Sequence, residues 1–254
     1  MLEIEFLGTG TSTGVPSIKG DSPVCFSTDA HDKRLRCSAV VRYQGVNILL
    51  DCGPDFRQQI MRATSRELDA LLITHIHYDH VGGIDDLRPY AYEQEFPIYA
   101  SKDVIEQLHH SLPYAFAEHL YPGVPRLKFK EIDRDPFKVA HVEVEPIPVW
   151  HGKYLIRGYR IGPLAYITDC KTIDDEQVER IKHIPLLVVN ALHRRDHHSH
   201  MNLEQALALV EKVQPGRTFF IHMSEYMGFH EEVNAQLPPN VRLAYDTQVV
   251  HVAD

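Results

Sequence analysis

The sequence predicts an α/β chain in which two β-rich halves, folded as one domain over residues 1–254, are covered by helices. Three observations lead there. Strand-like runs with period-two alternation recur in both halves, and amphipathic stretches at helical spacing fall between them. No low-complexity linker or short-period repeat divides the chain. An apolar content of 44% is enough for an extensive core.

Each element follows from its local pattern. "LEIEFLG" and "SAVVRYQGVNILLDCG" read as strands, the second run folded back on itself at the turn "YQGV". "DFRQQIMRAT" sets Phe56, Ile60 and Met61 at helical spacing, and "LDALLIT" follows as a buried strand. Then come "PIYAS", the helix-like "KDVIEQLHHSL", and a tyrosine- and proline-rich stretch, "PYAFAEHLYPGVP". The second half is similar in style. It runs through the strands "FKVAHVEVEPIPVWH" and "YRIGPLAYITD", the helix "DDEQVERIKH" and the apolar strand "PLLVVNAL". The helix "NLEQALALVEKV", N-capped by Asn202, the strand "RTFFIHMS" and a terminal pair around "RLAYDTQVVHV" complete it.

Composition narrows the function. A formal charge of −9 and a pI near 6.0 disfavour a broad grip on a polyanion, so a small substrate is expected and no large nucleic acid. No basic arm rich in Gly and Pro is visible to hold RNA. Cys25, Cys37, Cys52 and Cys170 have neither C-x-x-C spacing nor a disulfide pattern, which fits reduced thiols in a cytoplasmic protein. The start shows no export signal and no run is long enough to span a membrane, so no membrane partner is expected. A homodimer is compatible with all of this.

The chemistry concentrates in "ITHIHYDHVGG". An extended segment sends alternate side chains to one face, so His75, His77 and Asp79 point together while the chain turns to present His80. That is a cradle for metal. A hydrolytic two-metal centre holds its ions about 3.5 to 4 Å apart around a shared carboxylate and a water acidified toward a pKa of about 7. Three later positions can complete it: His151 in "PVWHG", Asp169 in "AYITDC" and His222 in "FFIHMS". Each ends an apolar strand, and strands of one sheet ending at one edge bring distant residues together.

These residues resemble the metallo-β-lactamase superfamily over nearly the whole chain: His75-Ile-His77-Tyr-Asp79-His80 matches its H-x-H-x-D-H signature, and His151, Asp169 and His222 follow in order. The resemblance implies an αββα sandwich of two mixed β-sheets flanked by helices. It implies two divalent ions, zinc or manganese with iron a further option, with His75, His77 and His151 on one, Asp79, His80 and His222 on the other, and Asp169 between them. Asp51 in "LLDCG" would steady the histidine loop without binding metal. "FLGTGTSTGVP", "RCSAVV" and "IHMS" look like PhnP-type cyclic phosphodiesterases and the related tRNA 3′-processing endonucleases. The implied activity is hydrolysis of small, cyclic ribose or nucleotide phosphodiesters. The alternatives are hydrolysis of esters, thioesters or lactones on the same fold, or tRNA processing. His200 in "HSHMNLEQAL" would donate a proton to the leaving group or hold the scissile phosphate, and it is counted as catalytic together with Asp79. His197 and His198 compete with it. PhnP-like proteins often hold a further zinc near residue 25; here only Cys25 and Glu225 stand at the matching positions, so no third metal is expected.

Plainer readings cover the remainder. His109, His110, His119, His183 and His251 read as surface or packing groups, and Cys170 as a small buried residue. "GTGTSTG", residues 8–14, lacks the phosphate-binding Gly/Lys pattern and reads first as a tight turn. Tyr90, Tyr92, Tyr114, Phe116 and Tyr121 are candidates for a pocket wall or for ordinary packing.

Overall fold

A computed structural model of the chain describes residues 1–92, 94–117 and 123–253. The first half forms β1 (Leu2–Gly8), β2 (Ser38–Tyr43), β3 (Val46–Leu50), α1 (Phe56–Arg62), β4 (Ala70–Leu72), α2 (Tyr78–Val81), β5 (Phe96–Ala100), α3 (Lys102–Ser111) and β6 (Leu127–Glu131). The second forms β7 (Phe137–Val139), β8 (Val142–His151), β9 (Tyr154–Ile161), β10 (Leu164–Ile167), α4 (Asp175–Arg180), β11 (Leu186–Asn190), α5 (Leu203–Val213), β12 (Arg217–Ile221), α6 (His230–Asn234), β13 (Val241–Leu243) and β14 (Val249–Val252).

Among the described residues these strands build two mixed sheets, ordered β14-β1-β2-β3-β4-β5-β6 and β13-β12-β11-β10-β9-β8-β7. Alternation decides which way each strand faces. In β2, Ala39 and Val41 enter the core between the sheets while Val40 packs outward with Phe56 of α1 and Val104 of α3. On the far side, Leu187, Val189 and Phe220 pack against Leu203, Ala206, Leu209 and Val213 along one face of α5. Helix, sheet, sheet and helix therefore form four layers, the expected αββα sandwich. A capping box starts α5, with the Gln205 amide donating to Asn202 Oδ1 at 2.8 Å. No helix is long and apolar enough to cross a membrane, among the described residues.

The hairpin at "YQGV" forms as expected. Gln44 and Gly45 both take positive φ, 51° and 80°, the geometry that matches strand twist in a two-residue loop. Two expectations change, and one strand is added to them. In α1, Phe56 and Ile60 are buried but Met61 is 50% exposed, because it lies a helical step off the covered face. The terminal strands do not pair with each other: β13 lies parallel beside β12, and β14 antiparallel beside β1. The turn between them crosses from one sheet to the other, Ala244 N–H bonding Phe220 O and Thr247 N–H bonding Phe6 O. Finally, "LKFKE" forms the edge strand β6, whose outward lysines blunt an open edge.

Candidate metal centre

Three strand ends of the second sheet and one loop of the first meet at a common edge. The loop after β4 and the short α2 carry His75, His77, Asp79 and His80, while His151 ends β8, Asp169 follows β10 and His222 follows β12. The loop is seated by the strand end before it. Cys52 N–H bonds His80 O at 2.8 Å, and a Cβ at Gly53 would lie 2.0 Å from Asp79 O, so only glycine lets the two backbones approach. Tyr159 on β9 donates to Ile73 O at 2.5 Å and Arg157 N–H to Thr74 O at 3.1 Å, fastening the loop to the opposite sheet. Asp51, Asp169 and His222 all take left-handed φ, 59°, 55° and 56°, a strained conformation for such residues.

The side chains form two groups that share a member. His75, His77, His151 and Asp169 offer ligand atoms within 4.8 Å of one another, and so do Asp79, His80, Asp169 and His222. Asp169 Oδ2 lies 3.7 Å from His75 Nε2, and its Oδ1 lies 3.4 Å from His80 Nε2 and 3.2 Å from His222 Nε2. Asp79 Oδ2 is 3.2 Å from His80 Nε2 and 3.5 Å from His222 Nε2.

Outer contacts fix which nitrogen carries each proton. Asp51, fully buried, accepts from Thr74 N–H at 2.8 Å, Thr74 Oγ1 at 2.8 Å and His80 Nδ1 at 2.7 Å. Since Thr74 Oγ1 gives its hydrogen to Asp51, it is left to accept from His75 Nδ1, 3.0 Å away. His151 Nδ1 donates to the carbonyl oxygens of Asp169 at 2.8 Å and Ser199 at 3.0 Å. All three rings thereby turn an Nε2 lone pair toward the cluster, the arrangement that suits a cation. His80 Nε2 is buried without an aligned hydrogen bond although two carboxylate oxygens face it. A neutral His80 would set acceptor against acceptor there, a conflict that a proton or a divalent cation resolves. The donor set of imidazole and carboxylate fits zinc, manganese or iron.

Without a cation the same crowding perturbs every group. Burial opposes charge on His80, but Asp79, Asp169 and Asp51 outweigh it and hold the imidazole protonated well above its ordinary range. Burial and the charge of His80 push His75 well below its ordinary range. Burial also opposes ionisation of Asp79 and Asp169, yet His80 for the first, and His222 with His80 for the second, keep both far below the usual carboxylate range.

A cavity of about 690 Å³ opens over the cluster, lined by Ser12, His77, Asp79, Lys153, His198 and His200 among others. His200 stands in its wall between His151 and His222, ring centroids 4.7 and 4.9 Å away, and burial pushes it down to about 3. His197 does not line this cavity, while His198 does so at the exposed rim.

The 8–14 loop is mostly a turn, Thr11 N–H bonding Met223 O and Gly14 N–H bonding Thr11 O, with Ser12 reaching the cavity. Of the two readings open for the aromatic residues, ordinary packing holds for Tyr90, Tyr114 and Phe116. Tyr90 packs on Phe96 and donates to Arg66 O, Tyr114 donates to Asp85, and Phe116 stacks on His109; none lines the cavity. His119 and Tyr121 lie outside the described residues. Sequence reasoning missed Lys153 and Tyr154, which line the cavity from the β8–β9 turn. Their signal was position, directly after the ligand-type His151. The segment around Cys25 is held by Glu225, which accepts from Ser17 N–H at 3.2 Å, and by Ser22 Oγ donating to Glu225 O. Cys170 is buried and its N–H bonds Asn190 Oδ1, as a packing residue would.

The beta-lactamase superfamily domain matches residues 46–223. Among proteins of known name, the chain is 43% identical over 243 residues to an octanoyltransferase of Porphyromonas gingivalis, covering 94% of this chain and 49% of that protein. It is 28% identical over 169 residues to a ribonuclease Z of Archaeoglobus fulgidus, covering 64% of this chain and 50% of that protein. The chain thus spans about half the length of these relatives. A crystal structure of a diphosphatase from the PhnP family superposes with a TM-score of 0.92 at 35% identity, covering 98% of this chain and 96% of that one. With a domain match reaching from β3 past His222 and a sandwich edge gathering the same His/Asp pattern, the chain belongs to the metallo-β-lactamase superfamily, whose members are generally metal-dependent hydrolases.

Proposed function

We propose that the protein is a metal-dependent phosphodiesterase acting on small, cyclic ribose or nucleotide diesters. The observation that carries this reading is the pair of His/Asp groups joined through Asp169 and opening into a cavity whose wall carries the imidazoles of His198 and His200. In this reading His75, His77 and His151 hold one cation, Asp79, His80 and His222 the other, and Asp169 both. Two divalent cations, zinc, manganese or iron, would acidify water for attack on phosphorus and offset charge on the phosphoryl oxygens.

The chain's own residues do the rest. Asp51 and Thr74 fix the tautomers of His80 and His75. Asp79 lines the cavity with Oδ2 facing His80 and His222, so it would act on the incoming water through the cation it holds. His200 enters as a neutral imidazole and donates an N–H to a phosphoryl oxygen, holding the diester against the cluster. A neutral donor in a dry wall costs no reorganisation as charge develops. The 35% identity to a PhnP-family diphosphatase and the likeness to ribonuclease Z support phosphorus–oxygen cleavage.

A second reading, hydrolysis of a carbon ester or thioester, is favoured by the octanoyltransferase relative, of whose length this chain spans 49%. Against it stands the 35% identity to a PhnP-family diphosphatase over 98% of this chain. Metal-loaded protein incubated in parallel with bis-p-nitrophenyl phosphate, a 2′,3′-cyclic nucleotide, a tRNA precursor, a lactone and an octanoyl thioester decides between them. Turnover of the first two supports the proposal; turnover confined to the carbon esters refutes it.

A further inference from the structure

The turn joining β8 to β9 stands between two cavities. His77, His151, Lys153 and Tyr154 line both the 690 Å³ cavity over the His/Asp cluster and a second, of about 520 Å³, on the other side of the turn. Both volumes lie in the range of small-ligand sites. Their chemistry differs. The first opens over the His/Asp cluster, with Ser12, His198 and His200 in its wall. The second sets the apolar Val104, Trp150 and Ile156 against Asp103 and Gln107 on α3. Asp103 accepts hydrogen bonds from hydroxyls, and Arg157 also stands in this wall. Gln107 Nε2 donates to the Asp103 carbonyl at 3.3 Å, leaving its amide oxygen as a further acceptor.

Two side chains sit on the divide itself. Tyr154 is 71% exposed, a large aromatic face at the mouth of both cavities. Lys153 has no hydrogen bond or ion pair among the described residues. An unpaired ammonium beside the cluster, an aromatic face at the divide and a chamber with hydroxyl acceptors offer one contact each to phosphate, base and sugar. Resting on the phosphodiesterase reading, we infer that the substrate is a nucleoside phosphodiester that straddles this turn. Its phosphate lies over the His/Asp cluster beside Lys153, and its nucleoside fills the second cavity, the base on Tyr154 and the sugar hydroxyls on Asp103.

The chain has one tryptophan, Trp150, and it lies in the wall of the second cavity, so its emission reports occupancy there. Adenosine, which carries no phosphate, should quench it saturably in protein with or without metal. Tyr154→Ala and Asp103→Ala should each weaken that affinity about ten-fold, the scale of one lost base stack. Tyr154→Phe, which keeps the ring, should bind as the parent does. In turnover, both alanine variants should lower kcat/KM for thymidine 5′-p-nitrophenyl phosphate about ten-fold relative to bis-p-nitrophenyl phosphate. No saturable quenching, or a preference unchanged in both variants, overturns the inference while hydrolysis of both diesters leaves the phosphodiesterase reading intact. Hydrolysis of neither diester by metal-loaded parent overturns both.

Discussion

Asp51→Asn separates the role of an outer carboxylate from that of the ligands it orients. The carboxylate accepts three hydrogens, Thr74 N–H on Oδ1 and both Thr74 Oγ1 and His80 Nδ1 on Oδ2. An amide has a single acceptor oxygen. If its NH2 group faced Thr74 N–H, two donors that cannot rotate away would oppose each other. The amide therefore turns its oxygen to Thr74 N–H and its NH2 to the other side. His80 then places its hydrogen on Nε2, and Thr74 Oγ1, now accepting from the amide, donates to His75 Nδ1 and moves that ring's hydrogen to Nε2 as well. Two nitrogens that would meet a bound cation as lone pairs now favour the N–H form. Restoring each costs a hydrogen bond, about 1 kcal/mol apiece and so about 1 to 3 kcal/mol together. Cation affinity should fall about 10- to 100-fold, the range for lost outer partners. Competition against a chromophoric chelator at neutral pH measures it, and imidazole nitrogen shifts report the tautomers. Parental affinity in Asp51→Asn, or an unchanged tautomer at His75, would refute the reasoning.

The remaining expectations are simpler. His200→Ala should keep the parental cation content by elemental analysis yet lower kcat by about 10² or more, as for a lost transition-state donor; parental kcat would remove His200 from the mechanism. Asn202→Ala breaks the capping box of α5 and should cost about 1 kcal/mol in urea unfolding. His230 is buried beside Arg34 and His31, and burial with those charges pushes it from 6.5 down to about 4. A depressed imidazole stabilises the fold above its unfolded value and loses that contribution as pH falls from 6.5 toward 4. The urea midpoint should therefore drop across that window, and drop less in His230→Gln; parallel curves would exclude His230 as the cause.

What was legible in the sequence was whatever its own neighbours determine. The spacing His75-x-His77-x-Asp79-His80 is local, and the apolar runs before His151, Asp169 and His222 mark strand ends, so the gathering of these residues at one edge followed from pattern. The two β-rich halves with covering helices followed from alternation in strands such as β2, whose neighbours face opposite cores, and the four-layer αββα order from the family resemblance. What escaped depends on partners distant in the chain. Nothing in "RLAYDTQVVHV" says that β13 and β14 belong to different sheets, since that rests on Phe220 and Phe6 receiving the turn. The Asp51–Thr74–His75 relay is invisible because a threonine beside a histidine means nothing until a carboxylate arrives from 23 residues away. Tyrosines 90 and 114 looked available for a pocket, but each finds a nearer partner, and the wall falls to the turn after His151.

The edge where the sheets meet draws one set of side chains from each layer: a single loop from the first, three strand tips from the second. Whatever binds across that seam acts as a rivet, because the layers cannot part without letting it go. Occupancy and heat resistance then become one property, each power of ten in free ligand above the dissociation constant adding about 1.4 kcal/mol against unfolding. Neither half of the polypeptide, released alone, would retain more than a fragment of the grip.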